Sequence, residues 1–126
     1  MKRSQNPIVI ATWKHGYTAT NKAYNLLNNN GLALDAVEKG VRVTESDSDI
    51  RTVGYGGYTD QDGNVTLDAS IMDHLGNAGS VAYLKEIKHP ISVARKIMEE
   101  SSHVMLVGDG AQNFALNNGF KKEDIL

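Results

Sequence analysis

Short runs of β-branched and apolar residues alternate along this chain with stretches in which apolar residues recur every three or four positions. The first pattern is typical of buried strands, and the second of helices with one apolar face. Residues 8–13 (IVIATW) and 104–107 (VMLV) show the strand pattern, whereas Leu34, Val37 and Val41 repeat at helical spacing. The alternation therefore predicts an α/β domain in which helices pack on a sheet.

Helix-ending and turn residues predict the other elements. A first helix is expected from Thr20 to a stop at Gly31, and a second begins near Ala33. Asp62 and Gly63 predict a hairpin turn that joins residues 55–59 to residues 65–72. The later elements are a short strand at 81–87, a helix opened by Pro90, and a helix over 111–116 that ends at Gly119. We expect one domain, or one piece of a domain, over residues 1–126, without repeats or linkers.

Composition excludes several classes of function. Thirteen Lys and Arg against 15 Asp and Glu give a net charge of -2, without the basic face that nucleic acids or anionic membranes require. The chain has no cysteine, which excludes disulfides and thiolate nucleophiles. The apolar stretch at 7–11 is too short for a signal-peptide core or a membrane helix, so we expect a mature soluble chain. The four histidines lack metal-ligand spacing and are expected on the surface or in loops.

Familiar catalytic motifs are absent or weak. The segment TVGYGG (residues 52–57) is glycine-rich, but a phosphate loop also needs a following helix and a Lys-Ser or Lys-Thr pair. Its glycines are therefore interpreted as turns or close backbone approaches. Asp68 and Asp73 are five residues apart on a predicted strand and point to opposite faces, which favours turn or network roles over a carboxylate pair. There is no GxSxG nucleophile motif.

Several blocks, read in order, resemble the α chain of the glycosylasparaginase (aspartylglucosaminidase) family. They are IVIATW, GLALDAVEKGVR, TVGYGGYTDQDGNVTLDASIMD, NAGSVAYLKEIKHPISVARKIMEESSHVMLVGDGA and NFALNNGFKKEDIL, and the resemblance runs from about Pro7 to Leu126. It implies a four-layer αββα sandwich of the N-terminal-nucleophile hydrolases, of which this chain is the α half. It also implies a precursor that cleaves itself, so that a new N-terminal Thr of the β chain serves as nucleophile and, through its amine, as base.

The resemblance carries further expectations about partners and location. No His-Asp-Thr cleavage triplet follows Leu126, so this chain alone is expected to be inactive and to need the β chain. The family implies a dimer of αβ pairs, a glycoasparagine substrate and no metal or organic cofactor. Its members act in the periplasm or the lysosome.

Two residues of this chain match family site positions. Trp13 matches a tryptophan that lines the substrate pocket at the end of the first strand, where an indole can orient the substrate amide. The alternative is a tryptophan buried in the core. Thr52 matches a position that usually carries Ser, whose hydroxyl hydrogen-bonds near the amine of the nucleophilic Thr. The alternative for Thr52 is a β-forming residue at the start of a strand.

Two other functions stay open at this point. One is an isoaspartyl peptidase or plant-type L-asparaginase of the same superfamily, although these relatives have a Gly-Gly-Ala-Gly-like end to the first strand where this chain has ATW. They also carry a different glycine-rich segment where this chain has TVGYGG. The second alternative is a non-catalytic assembly subunit that kept the α fold without a nucleophilic partner.

Overall fold

The computed structural model describes residues 6–126, which fold into four helices and three strands. Helix α1 covers Gly16–Asn28 and α2 covers Ala33–Glu45. Strands β1 (Leu67–Met72) and β2 (Ala78–Leu84) follow, then α3 (Pro90–Glu100), β3 (Met105–Val107) and α4 (Gly108–Asn117). This is a mixed α and β domain, which confirms the predicted fold class at that level. Within the described residues, no helix is long and apolar enough to span a membrane.

The sheet has the order β1-β2-β3 and mixed strand directions. Strands β1 and β2 are antiparallel, with Ile71 opposite Gly79. Strands β2 and β3 are parallel, with Val81 opposite Leu106, and α3 connects them. Parallel neighbours need such a crossover, which explains why a helix separates the two strands in sequence. The strand predicted at 104–107 is confirmed as β3, and the helix opened by Pro90 is confirmed as α3.

The main core lies between the sheet and α3. Val81 and Leu84 of β2 and Val93 and Ile97 of α3 are fully buried and belong to one hydrophobic cluster. Gly79 allows this close packing, since a Cβ at that position would lie 2.0 Å from the carbonyl oxygen of Ala94. Helix and sheet backbones therefore approach each other at a point where only glycine fits.

The hairpin predicted around Asp62 and Gly63 is wrong in its first strand, although its turn is present and its second strand, predicted at 65–72, forms β1. Residues 55–59 form no strand; instead β1 pairs with β2. The physical reason is the backbone of the preceding loop, where Gly54 and Gly56 have φ of 65° and 71° and interrupt an extended conformation. The turn that closes the true hairpin runs from residue 73 to residue 77.

Both of these turns have the sequence Asp-x-x-Gly-Asn and the same hydrogen bonds. In the first, the Asp60 carboxylate accepts the N–H groups of residues 62 and 64 at 3.0 and 2.8 Å. In the second, Asp73 accepts the N–H groups of residues 75 and 77, each at 2.9 Å. Such Asx turns stabilise a reversal of the chain even where no pair of hydrogen-bonded strands flanks it. Because the same motif occurs twice, the sequence predicts a hairpin at the first turn, whereas the hairpin forms at the second.

Residues 8–13 do not form the predicted strand. No described strand pairs with them, and Ile8 and Ile10 are 82% and 87% exposed. Because a strand exists only through hydrogen bonds to a neighbour, an apolar alternating sequence alone does not create one. The first helix also differs, beginning at Gly16 rather than at Thr20. The second helix begins at Ala33 as predicted, and α4 begins at Gly108, three residues before the predicted start.

Candidate active site

A cavity of about 740 Å³ lies where the N-terminal segment, the end of α2, the glycine-rich loop, β1 and the start of α3 meet. Trp13 and Thr52, the two residues singled out from the sequence, both line it. They are 39 positions apart in sequence, and the fold brings them to one concave surface. The cavity is therefore the candidate site, because it is the place where both residues could contact one ligand.

Trp13 projects from a turn in a left-handed backbone conformation. Its φ is 67°, and its carbonyl accepts the N–H of Gly16 at 3.1 Å as α1 begins. The side chain is 81% exposed, so the alternative of a tryptophan buried in the core of this chain is wrong. A bulky residue in this backbone region is strained, and such strain concentrates at functional sites.

The Trp13 ring is accompanied by His15. The two rings are nearly parallel, with an angle of 3° between their planes and 6.5 Å between their centroids. His15 also lines the cavity. Together they give this wall a flat aromatic surface, of the kind that packs against planar amides and sugar faces. The expectation of a loop position holds for His15, which directly precedes α1.

Thr52 lies in a turn, not in a strand, so the alternative of a β-forming role at a strand start is wrong. The Tyr58 N–H closes this loop by donating to the carbonyl of Arg51 at 2.9 Å. Gly54 has a positive φ, and a Cβ there would lie 2.2 Å from the carbonyl oxygen of Glu45. The glycine-rich segment thus provides the turn and the close approach expected of it, and the loop holds Thr52 exposed at the cavity wall.

A hydrogen-bonded pair beside the cavity, formed by Glu45 and His89, gives no signal in the sequence. Glu45, at the end of α2, is 3% exposed, and its Oε2 lies 3.0 Å from Nδ1 of His89. Its Oε1 accepts the N–H of Ile91 at 2.9 Å in the first turn of α3. Glu45 and His89 are 44 positions apart in the sequence. Only the packing of α2 against α3 brings them together, so no local pattern could have indicated the pair.

The carboxylates considered as a catalytic pair have structural roles. The Asp68 carboxylate accepts the N–H of Tyr83 across the hairpin at 2.9 Å. The side-chain amide of Asn77, with two backbone N–H groups, stabilises the charged form of Asp73 and lowers the pKa of its carboxyl group. These contacts confirm the network and turn roles expected for both residues. Among residues 6–126, no three His, Asp or Glu side chains come together as a metal site.

Comparison with known proteins gives a family match. The family described as "Asparaginase" matches residues 3–125. An N(4)-(Beta-N-acetylglucosaminyl)-L-asparaginase of Elizabethkingia miricola is 58% identical over 125 residues, which are 99% of this chain and 37% of that protein. The protein of the same name from Rattus norvegicus is 46% identical over 120 residues, which are 94% of this chain and 34% of that protein.

A relative with a different name also matches. A plant-type L-asparaginase of Pyrococcus abyssi is 48% identical over 95 residues, which are 75% of this chain and 31% of that protein. The chain therefore spans about a third of the length of the curated relatives it matches. The residues that line the cavity, from Ile10 to Ile91, all lie within the part matched by the family.

Proposed function

This chain belongs to the asparaginase family, and from that premise we propose that it is the α part of an amidohydrolase that cleaves the bond between N-acetylglucosamine and asparagine in glycoasparagines. The nucleophile in this proposal is the N-terminal Thr of a β chain, produced by self-cleavage of a longer precursor. The two parts form a four-layer αββα sandwich and assemble as a dimer of αβ pairs. The names of two relatives that match 99% and 94% of this chain support the choice of substrate.

The observation that carries the proposal is the shared cavity of Trp13 and Thr52. In the proposed reaction, the β-chain Thr hydroxyl attacks the carbonyl carbon of the substrate's side-chain amide, and its own α-amine accepts the hydroxyl proton. The C–N bond breaks, the amino-sugar leaves with a proton, and an aspartyl ester remains. Water then hydrolyses that ester and restores the Thr hydroxyl.

The roles of the two residues follow from their chemistry. The exposed indole of Trp13 can pack along the substrate and fix the orientation of its amide, which lowers the entropic part of the barrier. The Thr52 hydroxyl can accept or donate a hydrogen bond at the nucleophile's amine and so favour the protonation state that acts as base. Neither residue performs bond cleavage, which is consistent with a chain that needs a partner for activity.

The surface next to the cavity supports a β-chain partner. Ile8 and Ile10 are exposed in a segment with no strand partner among the described residues. Exposed apolar side chains of this kind are buried when another chain covers them. We propose that this segment pairs with a strand of the β part.

An L-asparaginase activity is a second candidate function, because a relative of that name also matches this chain. The match to a plant-type L-asparaginase supports asparagine as an alternative substrate for this chain, whereas the ATW and TVGYGG segments favour glycoasparagine. A non-catalytic assembly subunit is the third possibility. A second chain that begins with Thr would distinguish either enzyme from a non-catalytic subunit. The relative rates on glycoasparagine, asparagine and β-aspartyl peptides would distinguish the two enzymes from each other.

The test starts with the assembled protein from the full-length gene. Intact mass under denaturing conditions and N-terminal sequencing should identify a second chain that begins with Thr. That assembly should then release the amino-sugar from a glycoasparagine faster than it cleaves β-aspartyl dipeptides or asparagine. A faster reaction with the last two would replace the proposed substrate, and the absence of a Thr-initiated chain would refute the enzyme.

Trp13→Ala tests the proposed site directly. Loss of the indole should lower kcat/KM for glycoasparagine by roughly 10-fold to 100-fold, since a well-packed aromatic contact is worth about 1–3 kcal/mol. Tyr24→Ala is the matched control, because Tyr24 is a partly exposed aromatic residue of α1 that does not line the cavity. Equal effects of the two substitutions would remove Trp13 from the site.

A further inference from the structure

The Glu45 carboxylate joins two helices at the edge of the candidate site. Its side chain is almost fully buried, and both oxygens are bound, one to the His89 ring and one to the Ile91 N–H. The second donor belongs to the first turn of α3, where backbone N–H groups lack partners within the helix and favour a negative charge. The carboxylate therefore fixes the end of α2 against the beginning of α3.

The main chain of the same residue holds the glycine-rich loop. The Glu45 carbonyl accepts the N–H of Tyr55 at 2.8 Å. Gly54 packs directly on the Glu45 backbone, at a distance that leaves no room for a Cβ. Thr52 lies two residues before Gly54 and contributes to the cavity wall. Glu45 thus contacts α3 through its side chain and the Thr52 loop through its backbone.

We propose that Glu45 is a positioning residue that sets the place of the Thr52 hydroxyl in the cavity. This inference rests on the proposed function, because it assigns Glu45 a role through Thr52. A neutral side chain at position 45 would weaken the hydrogen bonds to α3, since charge-assisted bonds are the stronger ones. The end of α2 would then shift, and the loop bonded to it would shift as well. Displacements of about 1 Å in an active site lower rates by up to 100-fold.

Glu38 provides a matched control for helix packing alone. It lies on the same helix as Glu45 and also joins α2 to α3, through Ser92 and Arg95. Its side chain is 13% exposed, and it does not line the cavity. Glu38→Gln therefore weakens the same helix pair by the same chemical change, at a place without contact to the Thr52 loop.

The experiment uses the processed assembly and four variants: Glu45→Gln, Glu38→Gln, Thr52→Ala and the double variant Glu45→Gln with Thr52→Ala. Glu45→Gln should lower kcat for glycoasparagine at least ~10-fold with a smaller change in KM, because substrate contacts by Trp13 persist. Glu38→Gln should stay within about 2-fold of the wild type. In the Thr52→Ala background the Glu45→Gln effect should fall below about 2-fold, because the group that Glu45 positions is gone.

Two kinetic results would overturn the inference. One is an equal loss of kcat in the Glu45 and Glu38 variants, which would make Glu45 an ordinary helix contact. The other is an undiminished Glu45 effect in the Thr52→Ala background, which would mean that Glu45 acts independently of Thr52.

A second measurement needs no substrate. Hydrogen exchange of the assembly should show faster exchange over residues 51–58 in Glu45→Gln than in Glu38→Gln, because the Tyr55 N–H is bonded to the Glu45 carbonyl. Unchanged exchange in this loop would refute the positioning role. If the wild type cleaves none of the three amides, the proposed function fails, and exchange alone decides the role of Glu45.

Discussion

Replacement of Gly54 by alanine tests how the glycine-rich loop is held. The backbone of Gly54 has a φ of 65°, which side-chain-bearing residues adopt at a cost of roughly 1–2 kcal/mol. A Cβ would also lie 2.2, 2.4 and 2.6 Å from the carbonyl oxygen, Cα and carbonyl carbon of Glu45. All three are backbone atoms at the end of α2, so no side-chain rotation can relieve the overlap.

The two effects give an estimate of the destabilisation. Overpacking of this kind costs about 1–3 kcal/mol when the backbone must shift. Together with the unfavourable φ, Gly54→Ala should lower the free energy of unfolding by about 2–5 kcal/mol. The shift needed to admit the methyl group would also move the loop that carries Thr52, so kcat should fall in the surviving enzyme.

Gly63→Ala separates the destabilisation caused by steric overlap from the destabilisation caused by the left-handed backbone conformation. Gly63 has a φ of 83°, and nothing lies within 4 Å of a Cβ built there. This substitution should therefore cost only the roughly 1–2 kcal/mol of the left-handed conformation and leave kcat unchanged. Urea unfolding of the assembled variants, followed by circular dichroism, measures both. Equal free energies of unfolding for the two variants would refute the close approach of Gly54 to α2.

Two further substitutions test other parts of the fold. Gly79→Ala should destabilise the protein by at least about 1–3 kcal/mol in urea unfolding, because its Cβ would overlap the Ala94 carbonyl of α3; wild-type stability would contradict the close packing of β2 on α3. Asp73→Asn should reduce the loss of stability at acid pH. The folded pKa of Asp73 lies below its usual value of 3.8, so its stabilising effect is full above that value and is lost as the pH falls through the lowered pKa. Unfolding measured at several pH values from about 6 to 2 should show a shallower decline for the variant, and an unchanged decline would refute the role of this carboxylate.

The sequence predicted the elements whose causes are local. The helix opened by Pro90 and the helix begun near Ala33 follow from spacing and end signals within a few residues. The turn at Asp62 and Gly63 is also predicted from local residues and is present. The strand predicted before it, at residues 55–59, is absent, because which segment pairs with β1 is a property of the whole sheet. Which of two Asp-x-x-Gly-Asn turns closes a hairpin depends on the positive φ of Gly54 and the loop around it, and neither is visible in the turn itself.

The candidate site was predictable in a similar, partial way. Trp13 and Thr52 were singled out by resemblance, and the fold brings both to one cavity, although their roles remain proposals. Glu45 and His89 gave no signal, because a hydrogen bond between distant residues depends on how two helices pack. A buried carboxylate that needs partners on another element is defined only by tertiary structure.

Residues 8–13 have the sequence pattern of a buried strand but form no strand in the structure, and this difference bears on the proposed assembly. The pattern of this segment is that of a strand buried by its neighbours, yet in this chain Ile8 and Ile10 face outward and Trp13 is held exposed in a strained backbone conformation. Apolar residues that are exposed in this chain, in a segment with a burial pattern, indicate that another part of the protein covers this surface. The relatives are about three times as long as this chain, which supplies such a part. The same contact would cover the open side of the cavity, so that pairing of this segment and completion of the active site become one event in the proposed enzyme.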